Sequence, residues 1–257
     1  MSDRKIILGD IHGQTAPVEN VWRRLNKNVD SSDVMILLGD VGANYYLTGR
    51  DSKFKKKLGN FGFTYFCIRG NHEERPENCA AAHPDDWHQE DFFGNKVWVE
   101  NKFPYIKYAL DQPAVYNIND KSALVIPGAY SVDKDYRLQR GWTWFKDEQL
   151  SYDERVESYN LLNKTYNYVF SHTCPTSWMP YIQDLFLSQL DQRKIDKTME
   201  NYLQYVASNI HWDHWYFGHF HDDRDIGPMK ATMLFHQELF LGESFYSSLV
   251  KSFKKKG

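Results

Sequence analysis

Short apolar runs recur along the chain, and each stops at a small cluster of polar residues. Ile6-Ile7-Leu8 runs into Gly9-Asp10, Val34 to Leu38 into Gly39-Asp40, and Phe63 to Ile68 into Arg69-Gly70-Asn71-His72. Later, Tyr168-Val169-Phe170 stops at Ser171-His172, and Trp215-Tyr216-Phe217 at Gly218-His219. Continuous rather than alternating runs predict strands buried on both faces, as in parallel sheets covered by helices. Polar residues at the carboxyl ends of such strands sit where open α/β sheets place their sites. Between the first two runs, Pro17 opens a segment with Val18, Val21, Trp22 and Leu25 at helical spacing. This predicts a crossover helix ending near residues 26–28, and hence a βαβ unit.

The texture changes from about Val97 to Tyr130. Val115 to Ile118, then Asn119-Asp120, then Ser122 to Ile126 reads as a hairpin, which predicts a second, more antiparallel layer. Ile195, Met199, Leu203 and Val206 recur near every fourth position and predict a late helix, part of a helical insertion at about 178–210. With no internal repeat and no linker, one domain over residues 1–257 is expected.

Composition narrows the classes. Of the 257 residues 42% are apolar and 25% charged, so the chain can bury a core and is not a disordered segment. Lys+Arg number 31 against Asp+Glu 34, a formal charge of -3. That argues against stable nucleic-acid binding, which needs a basic excess to neutralise phosphates. The longest aliphatic stretch, Val34 to Leu38, is too short to span a bilayer, and residues 1–8 hold no signal-peptide core. Cys67, Cys79 and Cys174 are odd in number and form no CxxC pair, which suggests neither a disulfide framework nor a cysteine zinc site. A soluble, unexported protein of the reducing cytoplasm is expected.

The strand-end residues carry the chemistry: Asp10 and His12 in GDIHG, Asp40, Asn71 and His72 in RGNHE, His172, and His219 with His221 in GHFH. Oxygen and imidazole donors without thiolate suit divalent ions such as Mn²⁺, Fe²⁺ or Zn²⁺. Seven candidate ligands, His72 aside, exceed what one tetrahedral ion takes. Two ions about 3.5 to 4 Å apart, sharing one carboxylate, would use them all and leave positions open. Burying several imidazoles and two carboxylates together without a cation would leave polar groups uncompensated.

The ordered blocks GDIHG, GD, RGNHE, SH and GHFH, spread over Lys5 to His221, resemble those of the calcineurin-like metallophosphoesterases, in particular bacterial or phage-type members. The resemblance implies a four-layer α/β/β/α sandwich with two central mixed sheets. It implies one metal held by Asp10, His12, Asp40 and His221, and a second held by Asp40, Asn71, His172 and His219. Mn²⁺ is the first choice, with Fe, Zn²⁺ or Ni²⁺ as alternatives. It implies hydrolysis of a phosphate ester by direct attack of a metal-bound hydroxide, with His72 as general acid, a role whose loss costs roughly 10²- to 10⁴-fold. Arg69 resembles a phosphate-binding arginine of the protein phosphatases in the family, although it also reads as a residue capping a strand. Those phosphatases continue as GDxVDRG, whereas Val41-Gly42-Ala43-Asn44 follow here. The aspartate that orients the catalytic histidine is therefore missing from this block.

Gly128 to Arg137 resembles a GAYSxDKxxR segment of the bacterial and phage-type members. Arg137 there would bind phosphate, or else belong to a salt-bridged turn with Asp133. Tyr45, Tyr46, Trp142 and Trp144 read as packing residues, or as surfaces for a nucleobase. Glu73 reads as a support of its loop. The substrate expected is a phosphate monoester: a phosphorylated small molecule, a nucleotide or a phosphorylated residue. A phosphodiester or dinucleoside polyphosphate is the alternative, and a silent binding scaffold on the same fold is the alternative of another class.

Overall fold

All five apolar runs form strands in the computed structural model, which describes residues 3–182 and 193–248. β1 (Lys5–Leu8), β2 (Val34–Leu37) and β3 (Thr64–Cys67) are wholly buried and pair in parallel, with Ile6 beside Met35 and Met35 beside Tyr65. The connections are α1 (Ala16–Arg24) and α2 (Gly49–Gly59). α1 ends slightly before its predicted stop, where Asn26 and Lys27 take positive φ and break the helical path. After α3 (Pro76–Ala82), the strands β4 (Trp87–Phe92), β5 (Asn95–Glu100) and β6 (Ile106–Ala109) extend the same sheet.

The second sheet contains β7 (Ala114–Ile118), β8 (Lys121–Ile126), β9 (Thr165–Ser171), β10 (His211–Phe217), β11 (Arg224–Ile226) and β12 (Ala231–Met233), in the order β11-β12-β10-β9-β8-β7. The hairpin β7–β8 forms as expected, and Asn119 and Asp120 both hold positive φ in its two-residue turn. The expected antiparallel layer divides instead between the sheets. β4, β5 and β6 join the first sheet, while β8, β9, β10 and β12 run parallel in the second. Parallel neighbours require crossovers, and the chain supplies them in α4 (Lys134–Gln139), α5 (Tyr152–Glu157), α6 (Met179–Ile182) and α7 (Thr198–Ser208). α7 carries the predicted Met199, Leu203 and Val206 stripe; residues 183–192 of the expected helical insertion lie outside the described residues. β13 (Leu239–Phe240) closes the first sheet against β1.

Period-2 alternation explains why the runs are continuous. Ile7, Ile36 and Phe66 face the second sheet and pack with Tyr116, Phe170 and Tyr216. Their neighbours Ile6, Met35 and Tyr65 face outward onto α1 and α2 through Val18, Val21, Phe54 and Leu58. On the other side, Val169, Trp215 and Phe217 pack against Trp178, Met199 and Leu203. The result is the four-layer α/β/β/α sandwich with two mixed sheets. Among the described residues no helix is long and apolar enough to cross a membrane.

Candidate metal centre and active site

The carboxyl ends of β1, β2, β3, β9 and β10 meet at one edge of the sandwich, and the turns after them bring the predicted donors together. Asp10, Asp40, Asn71 and His172 are buried, at 2% exposure or less. Three groups place their ligand atoms within 4.8 Å of one another: Asp10, His12 and His221; His12, Asp40 and His72; Asp10, Asp40 and His172. His12 Nε2 and His221 Nε2 are 2.9 Å apart, and His221 Nε2 is 3.4 Å from Asp10 Oδ2. His172 Nε2 lies 3.5 Å from Asp40 Oδ1 and 2.9 Å from Asn71 Oδ1. His219 belongs to none of the three groups, but its ring centroid is 4.9 Å from that of His172 and it lines the same cavity.

Hydrogen bonds fix which atoms face inward. His172 Nδ1 donates to the Leu38 carbonyl at 2.7 Å, which turns Nε2 toward the oxygens of Asp40 and Asn71. Asn71 Nδ2 donates to Ser131 Oγ at 2.9 Å, and Ser131 Oγ donates to Glu148 Oε2 at 2.5 Å, so Asn71 also presents its oxygen. Backbone amides of His219 and His72 donate to Asp10 and Asp40. A proton or a cation must therefore lie between Nε2 of His172 and those oxygens, and between the Nε2 atoms of His12 and His221. Burial opposes ionisation of Asp40, yet the imidazoles of His72, His172 and His12 hold its carboxyl well below the usual range. Burial works against protonation of His172 too, but Asp40 and Asp10 push it up to about 9. Desolvation and the adjacent His172 hold His219 well below the ordinary histidine value.

The backbone is strained at this edge. His12, Asp40, His219 and His221 all hold φ between 45° and 72°, a region that non-glycine residues seldom occupy. The block glycines serve close approach: a Cβ on Gly70 would collide with Asp40 Oδ1, and one on Gly218 with Asp10 Oδ1. Glu73 ties two of the turns together, accepting from the amides of Gly42 at 2.9 Å and Gly70 at 3.4 Å. Burial and the nearby Asp40 raise its carboxyl to about 7.

Both arginines are engaged by other groups of the protein. Arg69 is buried and donates to Asp111 Oδ1 at 2.5 Å and to the carbonyls of Gly70 and Glu148. Asp111 is a buried carboxylate that needs a cation, and Arg69 is spent on it. Arg137, 1% exposed, donates to the Thr143 carbonyl and leaves Nη1 4.0 Å from Asp133 Oδ1, the local turn that was the alternative. Neither arginine lines the cavity over the metal ligands, but Arg137 sits near enough to His72 to oppose its protonation, with its guanidinium 5.4 Å from the Tyr45 ring. The sequence missed Asp133, whose Oδ1 is 3.8 Å from His72 Nε2. It stands beside His72 as a counter-charge, although it arrives 61 positions later in the chain. The spacing within GAYSVDK gave no sign of that contact. Tyr45 lies face-on to His72, with centroids 6.3 Å apart and planes at 23°, while Trp144 donates to Glu148. Tyr46 and Trp142 are exposed, and His214 bonds Thr232 rather than a ligand.

A cavity of about 560 Å³ opens over the cluster, lined at one end by Asp40, Asn71, His72 and His219. A model of the calcineurin-like phosphoesterase family matches residues 4–223, the span that contains every one of these donors. The chain belongs to the calcineurin-like phosphoesterase family. It is therefore a hydrolase of phosphate esters, with Asp and His groups placed to hold divalent metal ions. No curated protein matches the chain. Among solved structures it is similar to the phosphopantetheinyl hydrolase PptH from Mycobacterium tuberculosis, at 13% identity and a TM-score of 0.41, covering 91% of this chain and 89% of that one. It is also similar to the protein of unknown function AQ665 from Aquifex aeolicus, at 13% identity and a TM-score of 0.29, covering 66% of this chain and 80% of that one. Both similarities are too loose to bear on the substrate.

Proposed function

We propose that this phosphoesterase is a dinuclear metal-dependent phosphomonoesterase. The observation that carries the reading is the convergence of two buried aspartates, Asn71 and four histidines from five strand ends on one cavity. Asp10, His12, Asp40 and His221 would hold one divalent ion, and Asp40, Asn71, His172 and His219 the other. The donor set fits, because Nε2 of His172 and the oxygens of Asp40 and Asn71 already face one point, where a cation would take the place of the imidazole proton. Mn²⁺ is the first choice for nitrogen and oxygen donors, with Fe, Zn²⁺ and Ni²⁺ as rivals. When bound, such a pair of ions neutralises phosphoryl charge and lowers the pKa of water toward neutrality.

The chain's own residues do the rest. As water adds to phosphorus and the ester oxygen departs, His72 donates a proton to that oxygen. Asp133 orients His72, filling the role for which the residues after Asp40 offer no carboxylate. Ser131 is held by Asn71 and Glu148, so it positions a ligand and is not a nucleophile. The concave cavity supports a monoester over a polymeric diester, since a polymer needs a through-groove lined with cations. Among the described lining residues, Lys197 is the one Lys or Arg.

We also place the whole chain in one domain, because β13, beyond the matched span, pairs with β1. Its three buried free cysteines fit a reducing cytoplasm. The test compares p-nitrophenyl phosphate, bis-p-nitrophenyl phosphate and a dinucleoside polyphosphate across a metal series, with metal content measured by mass spectrometry. Two metals per chain and preferred cleavage of the monoester are expected. One metal or none, with no hydrolysis, would leave a binding scaffold; preferred cleavage of either other ester would make it a diesterase or polyphosphate hydrolase.

A further inference from the structure

The cavity continues well beyond the ligands, and its far side changes character. Met179, Ile182 and Ile195 line it there, while Val132 and Phe220 are apolar lining nearer the imidazoles, Phe220 with its ring 4.9 Å from that of His219. A phosphoryl group displaces the volume of only a few waters, each about 30 Å³ in the liquid. Most of the roughly 560 Å³ is therefore left for whatever the phosphate is attached to. Apolar surface lining a pocket beside a charged centre is the ordinary sign of a small-molecule site.

The charges in the lining bear on the ligand as well. Lys197 is outnumbered by Glu200, Asp133 and Asp222, all lining the same cavity. Glu200 is 7% exposed; one oxygen accepts from Thr173 Oγ1 at 3.0 Å and the other has no partner. A second anion placed among these carboxylates would meet like charge in a partly desolvated pocket. A neutral group would not.

Resting on the phosphomonoesterase reading, we infer that the substrate carries a single phosphate on a leaving group that is an apolar, uncharged chain or ring, seated against Met179, Ile182 and Ile195. The wall then supplies binding energy that grows with the apolar surface it covers.

The experiment is a homologous series of methyl, n-butyl and n-octyl phosphate with the metal-loaded protein, beside octane-1,8-diyl bisphosphate. A rise in kcat/KM of up to about fourfold per buried methylene is expected until the cavity fills, with the bisphosphate below octyl phosphate. Ile195→Asn and Met179→Gln are expected to lower the octyl-to-methyl ratio. A binding arm needs no turnover: by calorimetry, n-octylphosphonate should bind more tightly than methylphosphonate, with a negative heat-capacity change. A flat or falling series, a bisphosphate as good as octyl phosphate, or equal binding of the two phosphonates would overturn the inference. Absence of hydrolysis for every ester would strike the hydrolase reading instead, and the phosphonate arm would still decide this one.

Discussion

The two ends of the cavity are built from different kinds of structure. The polar end comes from turns after buried parallel strands, where His12, Asp40, His219 and His221 hold strained positive φ and buried carboxylates sit among imidazoles. The apolar lining comes from α6, the residues leading into α7, and the loops carrying Val132 and Phe220; Ile182 is buried, and Met179 and Phe220 pack on the core behind the second sheet. Strain and unbalanced charge thus concentrate where the sheets can hold them in place. The apolar lining needs no such strain, because it rests on ordinary core contacts.

The largest effect should come from breaking the polar end at the carboxylate shared between the two ligand sets. Asp40→Asn keeps the shape but removes charge, so several kcal/mol of metal-supplied stabilisation are lost, about 10³- to 10⁴-fold in kcat/KM. Metal analysis should show fewer than two ions per chain while circular dichroism stays native; wild-type turnover would sink the ligand assignment. His72→Ala should cost about 10²- to 10⁴-fold on an alkyl phosphate. The loss should be much smaller on p-nitrophenyl phosphate, whose leaving group departs without a proton, and equal losses on both would remove the general-acid role. Asp133→Asn should show the same leaving-group dependence at about 10- to 100-fold, with partial rescue in Asp133→Glu. An effect independent of the leaving group would make Asp133 merely structural.

Smaller effects sharpen the contrast through stability. Gly218→Ala drives a Cβ into Asp10 Oδ1 and should cost about 1–3 kcal/mol in chemical denaturation, with weaker metal binding. No change would mean that the turn relaxes freely. His214, away from the cluster, is held down to about 4 by burial despite Asp225. The unfolded chain, near 6.5, binds that proton more readily. The contribution of His214 to stability is therefore complete above pH 6.5 and declines as pH falls toward 4. Melting temperatures of wild type and His214→Gln should converge in slope at high pH and diverge in that window.

Some of this was legible in the chain and some was not. The strands were readable because both faces of β1, β2 and β3 are covered, so burial wrote itself as unbroken apolar runs. The antiparallel segment was recognised but assigned to one layer, since pairing partners such as Trp98 with Tyr108 are a matter of sheet choice. Arg69 invited a phosphate role because its block did. The structure spends it on Asp111, 42 positions away, whose burial no local pattern reveals.

By itself, the sequence determined that candidate donors follow buried strands, because donor chemistry and period-2 burial are local properties. Tertiary structure alone decided that Asp133 stands beside His72, that neither arginine lines the cavity, and that apolar side chains line it beside the cluster. Those facts depend on which elements pack together across the sandwich. Side chains brought together over such separations answer to the shape of the fold, and no spacing along the chain encodes it.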